Sequence, residues 1–277
     1  MFTRKQHYYP RCLLKHFANE RDMVYVHIRH RNKENFMNYE KVCVSKDTYE
    51  TEDIVDNILE NKLSKYESKI EPIIDYIIRN VLSENLEVSR KKQKELFRYM
   101  WLQYLRTDSG RINYMNLIKN PLEYKPRKEP IDLDEIQKNK KTIKEFNEKF
   151  KQDNELDNLL SKIEKPDNMN FHIAISKDNL LTSDNPVIAT DNWKQIMLPI
   201  SPNILIEFQE DSINSSNNLV VLLKDQKTKY VNEGTINTAN YFIISNKKFN
   251  SSQRKYIDNR FNNPNWKISH PHVPSKD

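Results

Sequence analysis

The chain has 277 residues and a net charge of +6, with 37% hydrophobic and 30% charged residues. That is enough apolar material for a core under a very polar surface, in one large unit or two small ones. With only 2 glycines and no GxxxxGK[ST] or GxGxxG pattern, Walker-type nucleotide hydrolysis and Rossmann dinucleotide binding are excluded.

Asp22–Arg29 alternates, with Val24, Val26 and Ile28 on one side and Tyr25, His27 and Arg29 on the other, which is a strand. Asn35–Val44 returns as its hairpin partner through a turn at His30–Glu34. Thr51 precedes a long helix over Asp53–Leu82, and Pro72 inside it is expected to kink or split it. Ser89 suits the N-cap of a second long helix over about 90–118. Three prolines make Asn120–Pro130 a loop, and 132–163 reads as a third, highly charged helix. From Met169 the texture becomes short β-type runs: Phe171–Ile175, Leu180–Leu181, Val187–Ala189, Ile204–Phe208, Leu219–Leu223 and Tyr241–Ser245. Two short helices near Tyr230–Asn240 and Ser251–Phe261 complete the chain. This order predicts one α+β unit over 1–277. It has an N-terminal β-hairpin, a helical middle over about 53–163 and a β-rich part over about 169–245. One mixed or antiparallel sheet flanked by helices is expected, to which the first hairpin can add.

The opening MFTRKQHYYP carries charge with no apolar stretch behind it, unlike a signal peptide. No run approaches the ~20 apolar residues of a membrane span. Two cysteines, Cys12 and Cys43, in so long a chain read as unpaired thiols of a reducing compartment. A cytoplasmic protein with no membrane partner is expected. Residues 1–33 hold eight basic and two acidic residues, and 86–130 hold eleven and five. Two basic segments that converge would meet polyphosphate, and Tyr8, Tyr9, Tyr99, Trp101, Tyr104 and Tyr114 lie among the charges, as suits base stacking. Solvated helix faces and ordinary core packing account for the same residues.

Polar residues on apolar faces are the candidates for chemistry. Leu63, Ile70, Ile74, Ile77 and Ile78 form one stripe of the first long helix; Glu67 falls inside it and Glu60 at its edge. A carboxylate there must be paired, hydrogen-bonded or protonated. The second helix is apolar around most of its circumference except for a lane of Tyr99, Gln103 and Arg106, which is expected to face an internal polar site. Arg106 there suits a carboxylate or phosphate, and its simplest partner is Glu67. Thr182-Ser183-Asp184-Asn185-Pro186 is a strong turn signal, and Asp184 within it is a candidate base or metal ligand. His7 can exchange a proton near neutral pH. His270 and His272 flank Pro271 in the C-terminal tail, where metal binding is not expected.

Several of these features occur together in a known family. Gln6-His7-Tyr8-Tyr9-Pro10-Arg11, Leu14 and Phe17-Ala18 resemble the HYVPxxxLxxFA opening of a bacterial domain-of-unknown-function family. Glu60 and Glu67, Gln103 to Arg106, Thr182 to Val187, Pro199-Ile200-Ser201-Pro202, and Val231-Asn232 with Asn237 are similar to its later motifs, in the same order over most of 6–245. Tyr9 departs from it, standing where a smaller β-branched residue is usual. The resemblance implies one folding unit and a setting among mobile-element or phage-conflict proteins. It supplies no reaction.

Two functional expectations follow. The first is a nuclease-like phosphodiesterase, with a defence or toxin-like role. His7, Glu67, Arg106 and Asp184 are its catalytic candidates and Tyr8, Tyr99, Gln103 and Asn185 its binding candidates. No metal ligand is assigned, and Glu67 with Asp184 is the pair that could hold Mg²⁺. The second is a non-enzymatic module that binds nucleic acid or senses a phage or host protein, with a buried structural Glu67–Arg106 network. A small-molecule hydrolase or transferase, in which Arg106 grips a carboxylate, is a weaker third.

Overall fold

The computed structural model describes residues 4–51, 54–122, 131, 133–189, 193–210, 218–263 and 266. It opens with β1 (Lys5–His7) and a short helical turn, α1 (Arg11–Leu14), that tightens into a 3-10 turn over Lys15–Phe17. The strands β2 (Met23–Ile28), β3 (Lys33–Asn38) and β4 (Val44–Lys46) follow. The helical middle comprises α2 (Ile58–Asn80), α3 (Arg90–Leu105), α4 (Asp108–Lys119), α5 (Leu133–Lys138), α6 (Lys140–Lys151) and α7 (Glu155–Lys162). The last part carries β5 (Met169–Ile175), β6 (Thr182–Ser183), β7 (Ile188–Ala189), β8 (Gln195–Ser201), β9 (Ile204–Glu210) and β10 (Val220–Leu222). It ends with α8 (Asp225–Thr238), β11 (Phe242–Ser245) and α9 (Ser251–Asn262). The α+β class and the order of hairpin, helical middle and sheet-rich end are as expected. No described helix is long and apolar enough to cross a membrane.

The strands of the described residues divide among three sheets, where one was expected. β1 pairs with β4; β10-β5-β9-β8-β7 form a mixed sheet; β3-β2-β11-β6 form an antiparallel one. The first hairpin does join a later strand, since Tyr25–Ile28 of β2 lie in antiparallel register with Phe242–Ser245 of β11. The predicted return strand stops at Asn38, because the Asn38 side chain accepts the backbone N–H of Glu40 and starts a 3-10 turn. The sequence reading passed over β8: all seven of its residues are buried, so it lacks the alternation that marks a half-exposed strand.

The helices differ from expectation where side chains compete with the helical ladder. α2 begins at Ile58, after Asn57 in the left-handed region (φ 56°), and runs unsplit through Pro72. The predicted helix over 90–118 is two helices. Thr107 Oγ1 accepts from the Gly110 N–H at 3.0 Å and donates to the Tyr104 carbonyl at 2.8 Å, restarting the chain as α4. Gly110 sits so close to α3 that a Cβ there would lie 2.0 Å from the Tyr104 carbonyl oxygen. The charged stretch 132–163 is three helices, broken at Asn139 and again at 152–154, where Asn154 is left-handed (φ 62°). The loop expected over Asn120–Pro130 lies outside the described residues from 123 onward, as do His270 and His272.

The main core joins α2 and α3 to one face of the five-stranded sheet. Ile70, Ile74, Ile77, Leu96, Phe97 and Met100 belong to the same buried cluster as Phe171, Ile173, Ile206 and Phe208. The opening segment contributes Tyr9, Leu13, Leu14 and Phe17, all fully buried, to that cluster. His7 and Glu67 are thereby carried to the edge of a well-packed interior.

Candidate functional site

Arg106 is the C-cap of α3 and is 2% exposed, with each guanidinium nitrogen in use. Nη1 donates to Glu67 Oε1 at 2.5 Å, Nε to the Tyr49 hydroxyl at 2.9 Å and Nη2 to the His7 carbonyl at 2.6 Å. The Tyr49 hydroxyl donates in turn to the His7 carbonyl at 3.1 Å. Arg106 thus ties β1, the segment before α2, and α2 itself into one knot. The fully buried Arg111 holds that knot from behind: its Nε and Nη2 donate to the Arg106 carbonyl at 3.1 and 2.9 Å. Both guanidiniums lie over the Tyr49 ring, 5.5 and 5.1 Å from its centre.

The outer side of the knot is half-open. The Glu67 side chain is 23% exposed, and His7 is half-buried with Nε2 donating to the Glu40 carbonyl at 2.9 Å. Burial, assisted by the nearby Arg11 and Arg106, lowers the His7 pKa, so its ring stays neutral at pH 7. Two turns before Glu67 on the same face of α2 stands Glu60. Its Oε2 is buried without a hydrogen-bond partner among the described residues. Burial pushes the Glu60 carboxyl up to about 7; Arg106 and Arg11 oppose this, while Glu67 and Glu50 reinforce it. Glu50 is a different case. It accepts from Gln6 Nε2 at 2.5 Å, Asn57 Nδ2 at 3.0 Å and Lys151 Nζ at 3.0 Å, and burial is outweighed so that its pKa falls.

Among the binding candidates, Tyr99 and Gln103 lie on the same buried lane as Arg106, which does face an internal polar site. Among the described residues the Tyr99 hydroxyl and Gln103 Oε1 have no hydrogen-bond partner, while Gln103 Nε2 donates to the Tyr8 carbonyl at 3.3 Å. The Tyr8 ring instead meets Tyr241 edge-on at 6.2 Å.

Asp184 does not join this group. No hydrogen bond or ion pair links it to His7, Glu67 or Arg106 among the described residues. It is 2% exposed, and its oxygens accept from the backbone N–H groups of Asn240, Tyr241 and Phe242 at 2.8–3.3 Å. Burial raises its pKa to about 7 despite those donors. Asn185 stays in the turn, its carbonyl accepting from Ser183 Oγ and Thr238 Oγ1. Nothing among the described contacts draws Asp184 towards Glu67, the pair that could have held Mg²⁺. No group of three or more His, Cys, Asp or Glu side chains able to hold a metal ion occurs among the described residues. Replacing Asp184 by alanine takes the acceptor from three backbone N–H groups, that of Asn240 buried and those of Tyr241 and Phe242 part-buried, and is expected to cost about 2–4 kcal/mol, read by urea unfolding.

The reading of the sequence missed Tyr49 and Arg111. Tyr49 lies in a loop with no periodicity to place it, and Arg111 follows a helix break that was not foreseen. The segments singled out in the sequence touch one another: Thr182 Oγ1 donates to the Tyr9 hydroxyl at 3.1 Å, and Asn232 binds Leu181 N and the Asn179 carbonyl at 2.8 and 2.9 Å. No curated protein and no solved structure matches the chain. A family model matches residues 5–249, and the chain belongs to that family, described as a protein of unknown function (DUF4238).

Proposed function

We propose that the chain is a nucleic-acid-directed hydrolase, a phosphodiesterase in which Glu60 carries the proton. The observation that supports this is a buried carboxyl oxygen without a partner, on a group poised near pH 7, beside Glu67, Arg106 and the 59%-exposed Arg11. A carboxyl whose pKa sits at the working pH is suited to general acid–base transfer. As a carboxylate, Glu60 takes a proton from the attacking hydroxyl or water as the new P–O bond forms. It returns that proton to the oxygen that leaves. Arg11 neutralises the phosphoryl oxygens. Arg106 cannot take that role, being closed off and fully engaged; it is a positioning residue that fixes Glu67 and the His7 backbone. Lys5 and Lys46 face one another across the β1–β4 ladder, both exposed, and Lys5 shares a face of β1 with His7. That strip would track a phosphate backbone towards Glu60.

A second reading rests on the same closure of Arg106. If the knot is purely structural, the chain is a non-enzymatic module for nucleic acid or a phage or host protein, and Glu60 has no chemical role. Incubation with labelled single-stranded DNA, plasmid and RNA, with and without Mg²⁺, separates the two. Wild type is expected to cleave at least one substrate and Glu60→Gln to be at least ~100-fold slower. No cleavage by wild type leaves the module reading standing.

A further inference from the structure

The C-terminal helix α9 packs on the outer face of the antiparallel sheet, beyond the residues matched by the family model. Its last turn closes on His27 of β2. The His27 ring stacks on Phe261 with centres 5.6 Å apart and planes at 15°. His27 is 3% exposed, and neither ring nitrogen has a hydrogen-bond partner among the described residues. A buried imidazole without an acceptor can be housed as the neutral ring, but its protonated form would bring two N–H donors into an apolar sandwich.

The two carboxylates near it, Glu34 and Asp258, favour the protonated ring, and burial outweighs them. Arg29, at the end of β2, and Arg260 of α9 lie over the Phe261 ring at 4.8 and 5.4 Å. Glu34 of β3 stands opposite His27 in register, but is already bound by the Tyr25 hydroxyl at 2.6 Å and Arg254 of α9 at 3.3 Å. Asp258 of α9 is the remaining nearby carboxylate, and β11 contributes no ionisable side chain. We infer that His27 is a pH-sensitive latch: its neutral ring holds α9 down, and its protonation releases that helix. Burial lowers the His27 pKa, and Glu34 and Asp258 only partly oppose it. Because the docked state prefers the neutral ring, docking is strongest above the ordinary histidine pKa of about 6.5 and weakens as pH falls through it.

The latch has something to control. A cavity of about 320 Å³ lies between α8 and α9, lined by Asn179, Thr228 and Asn232 on one side and by Gln253 and Tyr256 of α9 on the other. Release of α9 removes that second wall.

Hydrogen exchange, corrected for the pH dependence of intrinsic rates, tests this in the full chain. Between pH 7.5 and 5.5, amides of 251–262 are expected to lose at least tenfold protection relative to those of β5 and β9. In His27→Phe, which keeps the stack without a titrating group, the ratio is expected to stay flat. Unchanged relative protection in wild type, or the same loss in His27→Phe, overturns the latch. Should that variant not fold, the His27 Cε1–H titration in wild type decides. A midpoint well below about 6.5 supports the latch, and a midpoint at or above it overturns the latch.

Discussion

Replacing Arg106 by leucine is expected to lower the unfolding free energy by about 3–5 kcal/mol, the range for a buried ion pair that loses one partner. The side chain donates to three acceptors from distant segments, so its loss leaves the Glu67 carboxylate without its cation and takes one donor each from the Tyr49 hydroxyl and the His7 carbonyl, which keep only their bond to each other. Lysine is no substitute, because one ammonium cannot reproduce three directed bonds from a planar fork. Glu67→Gln is expected to cost less, since its amide oxygen still accepts from Nη1. Urea unfolding measures the difference, and in thermal melts the leucine variant should fall by roughly 10 °C. A loss under 1 kcal/mol would mean that Arg106 does not organise this region.

Glu60→Gln is expected to act in the opposite direction on stability. The Glu60 carboxyl titrates near 7 in the folded chain, against 4.5 for the free side chain. The folded state therefore holds the proton more tightly than the unfolded state, and stability falls as pH rises from about 4.5 to 7. Above that the full penalty remains, about 3 kcal/mol for a shift of this size. Glutamine is neutral at every pH and removes the penalty. The variant should match wild type near pH 4 and be more stable by up to about 3 kcal/mol at pH 8. Hydrolysis should fall by at least ~100-fold in the same protein. Such a gain in stability with a loss of turnover is the signature of a group kept for chemistry. Parallel urea series at pH 4 and 8, with the cleavage assay, read both effects. Equal stability at both pH values would show that Glu60 is not held near neutrality.

What could be read from the sequence follows from periodicity. The alternation over Met23–Ile28 placed β2, and helical spacing placed Glu67 on a buried stripe and Arg106 on a polar lane facing it. Those two side chains then met as the spacing indicated. β8 was not legible, because a strand covered on both faces loses its alternation. The breaks at Thr107 and Asn154 were missed, since local side-chain and left-handed backbone choices overrode a continuous helical pattern. Asp184 stayed ambiguous for a related reason. A buried carboxylate on an apolar segment suits catalysis and backbone capping equally, and only three-dimensional placement shows three N–H groups converging on it. Tyr49 and Arg111 had no periodic signal, although they complete the Arg106 knot.

The ionisation of Glu60 is best followed by ¹³C titration of the glutamate side-chain carboxyls, with the resonance assigned by its disappearance in Glu60→Gln. A midpoint near 7 is the predicted result; a midpoint near the ordinary glutamate value of 4.5 would contradict the account.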